Sequence, residues 1–150
     1  EYIVNKSAVL KSLTNEWIQF LGVAGSVSDQ KQKLTGAVGD WSVSQCLIHV
    51  ASWDEEVIRI VSEFIDSGTR KTPGVPHDLN NKQLEQKKDL DSDMTWQYLY
   101  DSHTTFMSYV QGLPEEILDR ESYTGEWIGI IVPNHYKGHR EDIERFTAGS

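Results

Sequence analysis

Trp127-Ile128-Gly129-Ile130-Ile131-Val132 decides the fold class, because it is the one apolar run in the chain that could pass for a buried strand. By periodicity alone, six such residues suit a strand as well as a helix. A strand, however, needs a partner for its backbone N–H and C=O groups, and no other stretch alternates apolar and polar residues long enough to supply one. The run is therefore read as the approach to a helix, and the chain as all-α. That last helix is expected to begin near Ile131 to Pro133, after a loop through Gly125, and to end at Phe146. It should not start much earlier, since proline is accepted in a first turn and excluded deeper in.

Upstream, a third helix is predicted from about Thr95 to Gln111, with Trp96, Leu99, His103, Phe106, Met107 and Val110 on one face and Gly112 after it. Leu113-Pro114-Glu115-Glu116 then restarts a short turn, with acids where a helix dipole favours them. The second helix has the clearest start. Ser42-Val43-Ser44-Gln45 is a capping-box pattern, with Trp41 and Cys46 placed as a hydrophobic staple. Val43, Cys46, Leu47, Val50, Trp53, Val57, Val61 and Phe64 form its stripe, and Gly68 is its stop. A first helix is expected from Asn5, its N-cap, to Leu21, with Gly22 and Gly25 ending it. Residues 69–92 contain Pro73, Gly74, Pro76, Asn80 and Asn81 and read as a long loop with one helical turn near Gln83 to Lys88. Loops of that length usually have a task, such as covering a site. The sum is a four-helix bundle occupying residues 1–150 as one domain, with no internal repeat.

At 150 residues, with 38% hydrophobic and 25% charged residues, the chain can bury a core of its own. A formal charge of −9 argues against general nucleic-acid binding, which needs a basic footprint. The single Cys46 forms no internal disulfide, no apolar run approaches the roughly 18 residues that span a membrane, and no signal peptide is read after Glu1. A soluble cytoplasmic protein is the expectation. Exposed helix faces of a bundle can pair, which makes a homodimer compatible with the sequence.

His135 and His139 are four residues apart and share a helix face with Asp142, Ile143 and Phe146. Both imidazoles therefore point at the bundle interior, where unsatisfied ring nitrogens would cost a few kcal/mol. Either hydrogen bonds or a metal ion should meet them there. His49, on the shoulder of the second helix's stripe, is the leading third ligand. Three histidines leave positions open, the catalytic rather than the structural arrangement. Imidazole suits zinc, nickel, copper or iron, with zinc and nickel put first. The pair is not a zinc-protease H-E-x-x-H, because Tyr136 follows His135.

The chain resembles the DinB-like superfamily, and within it the ClbS/DfsB branch. The residues that carry the resemblance are Gly39-Asp40-Trp41-Ser42-Val43, the H-x3-W element His49 to Trp53, Leu113-Pro114-Glu115-Glu116, and Asn134-His135-Tyr136-Lys137-Gly138-His139-Arg140-Glu141-Asp142-Ile143. They occur in order over nearly the whole chain. The resemblance implies an up-down-down-up bundle in which His49, His135 and His139 bind a divalent metal. It also implies metal-dependent chemistry on small molecules, such as hydrolysis or transfer of a low-molecular-weight thiol, in settings that include detoxification. Some members of the branch instead protect against a genotoxin and lack parts of the triad. Two readings follow: a metal-dependent enzyme, and a non-catalytic small-molecule-binding or resistance protein.

Among the remaining candidates, His103 lies mid-stripe and is read first as a hydrogen-bonded core histidine and second as a pocket-lining residue. Trp53 and Trp127 are candidate substrate-pocket walls, although large aromatics in bundles are usually core. Cys46, one turn before His49, is read as packing rather than as a fourth ligand. Asp142 and Glu56 share the histidines' faces and are candidates to orient an imidazole or act as a base.

Overall fold

The capping box at Ser42 sets the longest helix. In the computed structural model, which describes residues 6–71, 77–119 and 121–149, the Ser42 hydroxyl accepts from the Gln45 N–H at 3.1 Å, and the Gln45 side chain accepts from the Ser42 N–H at 3.0 Å. Helix α2 (Val43–Ser67) follows, and Gly68 ends it in the left-handed region at φ 74°. That reciprocal cap satisfies two otherwise orphaned donors and contributes about 1 kcal/mol. Helix α1 (Lys6–Gly25) runs through Gly22 instead of stopping there, because Phe20, Leu21 and Ala24 go on burying its apolar face. Its expected N-cap, Asn5, lies outside the described residues, as do Pro73, Gly74 and Pro76.

The stretch read as a loop holds a ten-residue helix, α3 (His77–Gln86). Its sequence is weakly amphipathic, and it is held by tertiary contact: the Trp53 indole N–H donates to Asn80 Oδ1 at 2.7 Å. Helix α4 (Ser92–Gln111) starts three residues before the expected point, at the N-cap Asp91, whose side chain accepts from the Met94 N–H at 2.8 Å.

The apolar run that decided the fold class is a π-helical turn, Trp127–Ile131. It joins a short helix α5 (Tyr123–Glu126) to α6 (Val132–Ala148), so the helical path begins well before Pro133. The π turn is what reconciles this with the proline. The Val132 N–H reaches back five residues to the Trp127 carbonyl. The widened turn gives room to a residue that lacks an N–H and would otherwise strike the carbonyl four residues earlier.

Among the described residues there is no strand, only an isolated bridge between Val38 and Trp41. The four long helices pack chiefly as α2 on α4 and α1 on α6, with α3 laid on α2. Leu13, Phe20, Leu47, Val50, Leu99, Phe106, Ile128 and Ile143 are fully buried between them. No helix among the described residues is long and apolar enough to cross a membrane.

Candidate metal centre

Helix α2 and helix α6 bring His49, His135 and His139 to one point. The candidate ligand atoms all lie within 4.8 Å of one another. His135 Nε2 is 2.9 Å from His49 Nε2 and 3.0 Å from His139 Nε2. Two nitrogens on one zinc at ~2.0–2.1 Å would sit about 3.3 Å apart at a tetrahedral angle and about 2.9 Å apart at a right angle. The donor set and its spacing therefore fit a single ion.

Proton positions sharpen the fit. Asp142 Oδ2 is 3.1 Å from His139 Nδ1, and an ionised carboxylate only accepts, so the His139 proton is on Nδ1 and its Nε2 offers a lone pair. His135 Nε2 then faces two neighbouring ring nitrogens and has one proton at most to give. At most one of the two close nitrogen pairs can therefore be a well-formed hydrogen bond. Asp142 thus orients an imidazole, one of the roles its sequence position suggested. On the far side of the triad, His49 Nδ1 is buried with no partner.

All three imidazoles are held neutral. Burial pushes His49 down to about 3, helped by the nearby His139. Burial also takes His135 well below its ordinary value, with His139 and His49 adding to it. For His139 burial outweighs the opposing pull of Asp142. A histidine depressed in the folded state takes up its proton first in the unfolded chain. Its contribution is thus complete above about pH 6.5 and is lost as pH falls below that value. We expect the urea midpoint of metal-free protein to drop between about pH 7 and about pH 4.5, with His49 alone contributing up to about 1.4 kcal/mol per pH unit. A midpoint that stays flat over this range would contradict the buried neutral triad.

The surroundings differ from the sequence expectation in detail. The tryptophan that meets His49 is Trp41, with ring centroids 4.7 Å apart, held in a tight turn by its N–H to the Val38 carbonyl at 2.9 Å. Trp53 is turned to Asn80 on α3, and Trp127 is buried with its ring edge-on to Tyr123. Glu56 is paired with Arg59. Cys46 is fully buried, and burial together with the Asp142 charge keeps it a thiol.

His103 is a hydrogen-bonded core histidine: its Nδ1 is 3.2 Å from the Tyr136 hydroxyl, and its ring stacks on Trp17 at 3.8 Å and 7°. The Tyr136 hydroxyl in turn donates to Asp54 Oδ2 at 2.8 Å. Asp54 is 1% exposed, and burial pushes its carboxyl above the ordinary range. The reading of the sequence passed over Asp54 and Tyr136. The signal was there: Val50, Asp54, Val57 and Val61 recur at helical spacing, so a carboxylate sits within an apolar stripe.

No known family's model matches the chain, and no curated protein matches it. A solved structure described as "Sibling Lethal Factor Precursor - DfsB" matches it with a TM-score of 0.80, covering 99% of this chain and 98% of that one. The chain has the DfsB fold. At 15% identity the likeness to DfsB concerns the path of the helices. It agrees with the resemblance carried by Trp41, the H-x3-W element and the H-x3-H element. The DfsB-like arrangement is what brings one histidine of α2 against two of α6.

Proposed function

We propose that His49, His135 and His139 hold one divalent cation, zinc or nickel first, and that the chain acts on a small molecule there. The observation that carries this reading is the convergence of three neutral imidazoles whose Nε2 atoms cannot satisfy one another. A cation that accepts three lone pairs removes the conflict. Once bound, it supplies Lewis acidity, the chemistry that hydrolysis or transfer of a low-molecular-weight thiol requires. The chain's own residues do the rest. Asp142 keeps the His139 proton on Nδ1. Trp41 covers the His49 ring and keeps water from that side. His135 and His139 are half-buried, which leaves one side of the site open to a small molecule.

A second reading, a non-catalytic binding or genotoxin-resistance protein, is favoured by the likeness to DfsB. Elemental analysis of protein purified without added metal separates the two. About one equivalent of a divalent metal is expected. Metal-free protein that takes up neither zinc nor nickel on titration would sink the first reading and favour the second.

A further inference from the structure

We infer that Asp54 and Tyr136 are positioning residues that set the rotation of α6 and so aim His135 and His139 at His49. This rests on the metal-site reading above. The cluster takes one side chain from each long helix: Trp17 from α1, Asp54 from α2, His103 from α4 and Tyr136 from α6. Tyr136 has a single proton, which it gives to Asp54. Its oxygen must therefore accept from His103, which places the His103 proton on Nδ1. His103 Nδ1 also lies 3.8 Å from Asp54 Oδ2, and Trp17 pins the imidazole from its face.

Tyr136 stands between the two α6 histidines in sequence, about 100° from His135 and about 60° from His139 around the helix. Fixing its azimuth fixes theirs. Side-chain tips lie roughly 5–6 Å from a helix axis, so a turn of about 10° displaces them by ~1 Å. Metal–ligand distances tolerate about 0.2 Å. Apolar packing around the fully buried Ile143 and Phe20 is non-directional and fixes that azimuth less sharply. A directional hydrogen bond of 2.8 Å to a carboxyl group that is 1% exposed would not permit such a turn. Losing that bond leaves the carboxylate buried and without its nearest donor.

Three variants separate positioning from mere stability. Tyr136→Phe should lower the melting temperature of metal-free protein and weaken zinc binding 10- to 100-fold, the range seen when a supporting group of a metal site is lost. Combining it with Asp54→Leu removes both polar groups. Melting temperature should then recover in part while zinc affinity stays 10- to 100-fold weak. Asp54→Asn keeps an acceptor for Tyr136 and should hold zinc affinity within about 3-fold of the parent, well short of that loss. Parental zinc affinity in the double variant would overturn the inference, as would a 10-fold or greater loss in Asp54→Asn. If the parent protein binds no zinc, the metal reading fails by itself. Long-range proton–nitrogen spectra of the metal-free imidazoles then decide the positioning role. A changed tautomer or nitrogen shift at His135 or His49, which meet across α6 and α2, in the double variant would support it, and unchanged signals from both would overturn it.

Discussion

Alanine at His49, His135 or His139 is expected to abolish stoichiometric binding of zinc or nickel. The expectation follows from how few contacts the site has. Its three nitrogens come from two helices, and His135 Nε2 is the one shared by both close pairs. Removing any one leaves two ligands, too few to hold an ion against water at micromolar concentration. The effect is legible in stability as well as in metal content. An ion present at about 100 times its dissociation constant stabilises the folded state by about 2.7 kcal/mol. For a chain of this size that is a rise in melting temperature on the order of 5–10 °C. Adding zinc should produce the rise in the parent protein and none in the three variants. Full metal content by elemental analysis in any one of the variants would show that its histidine is not a ligand.

Gly125→Ala is expected to destabilise the protein more than alanine at any other glycine among the described residues. A Cβ at Gly125 would stand 1.8 Å from the Asp119 carbonyl oxygen, 2.4 Å from the Asp119 carbonyl carbon and 2.8 Å from that of Leu118. All three atoms are backbone, so no side-chain rotation relieves the clash. The segment is also tied down, since the Ser122 hydroxyl accepts from the Gly125 N–H at 2.9 Å and donates to the Ile117 carbonyl at 3.0 Å. Prising α5 from residues 118–119 should cost roughly 3–5 kcal/mol. That corresponds to a fall in melting temperature of roughly 10 °C. Gly138→Ala is the internal control. Nothing lies within 4 Å of its Cβ position, so alanine there should stabilise α6 by about 0.5–1 kcal/mol. Thermal melts of the two variants side by side test the contrast. Equal melting temperatures would mean that the crossing at Gly125 is looser than described.

What could be read from the sequence was what short-range chemistry encodes. The capping box at Ser42, the glycine stop at Gly68 and the stripe between them define α2 with no help from the rest of the fold. The spacing of His135 and His139 likewise put both on one face. Three features depended on partners far along the chain. Helix α3 carries little apolar pattern, and its place is set by the indole of Trp53 reaching Asn80 across 27 positions. The π turn at Trp127–Ile131 is a matter of hydrogen-bond register, which an apolar run does not specify. Trp41 reaches His49 because of a turn closed by Val38, a contact that no periodicity anticipates.

Among the polar contacts, the cluster around Asp54 has a bearing on how the chain reaches its native state. Its members stand at positions 17, 54, 103 and 136, so completing it closes loops across most of the molecule. A partly assembled bundle that closes over Asp54 without α6 buries the carboxylate without its tyrosine donor. Such a species is penalised relative to both the open chain and the finished bundle. Docking of α6 supplies that donor. One carboxylate on α2 thus favours an assembly in which α6 is already in place, 82 positions further along the chain.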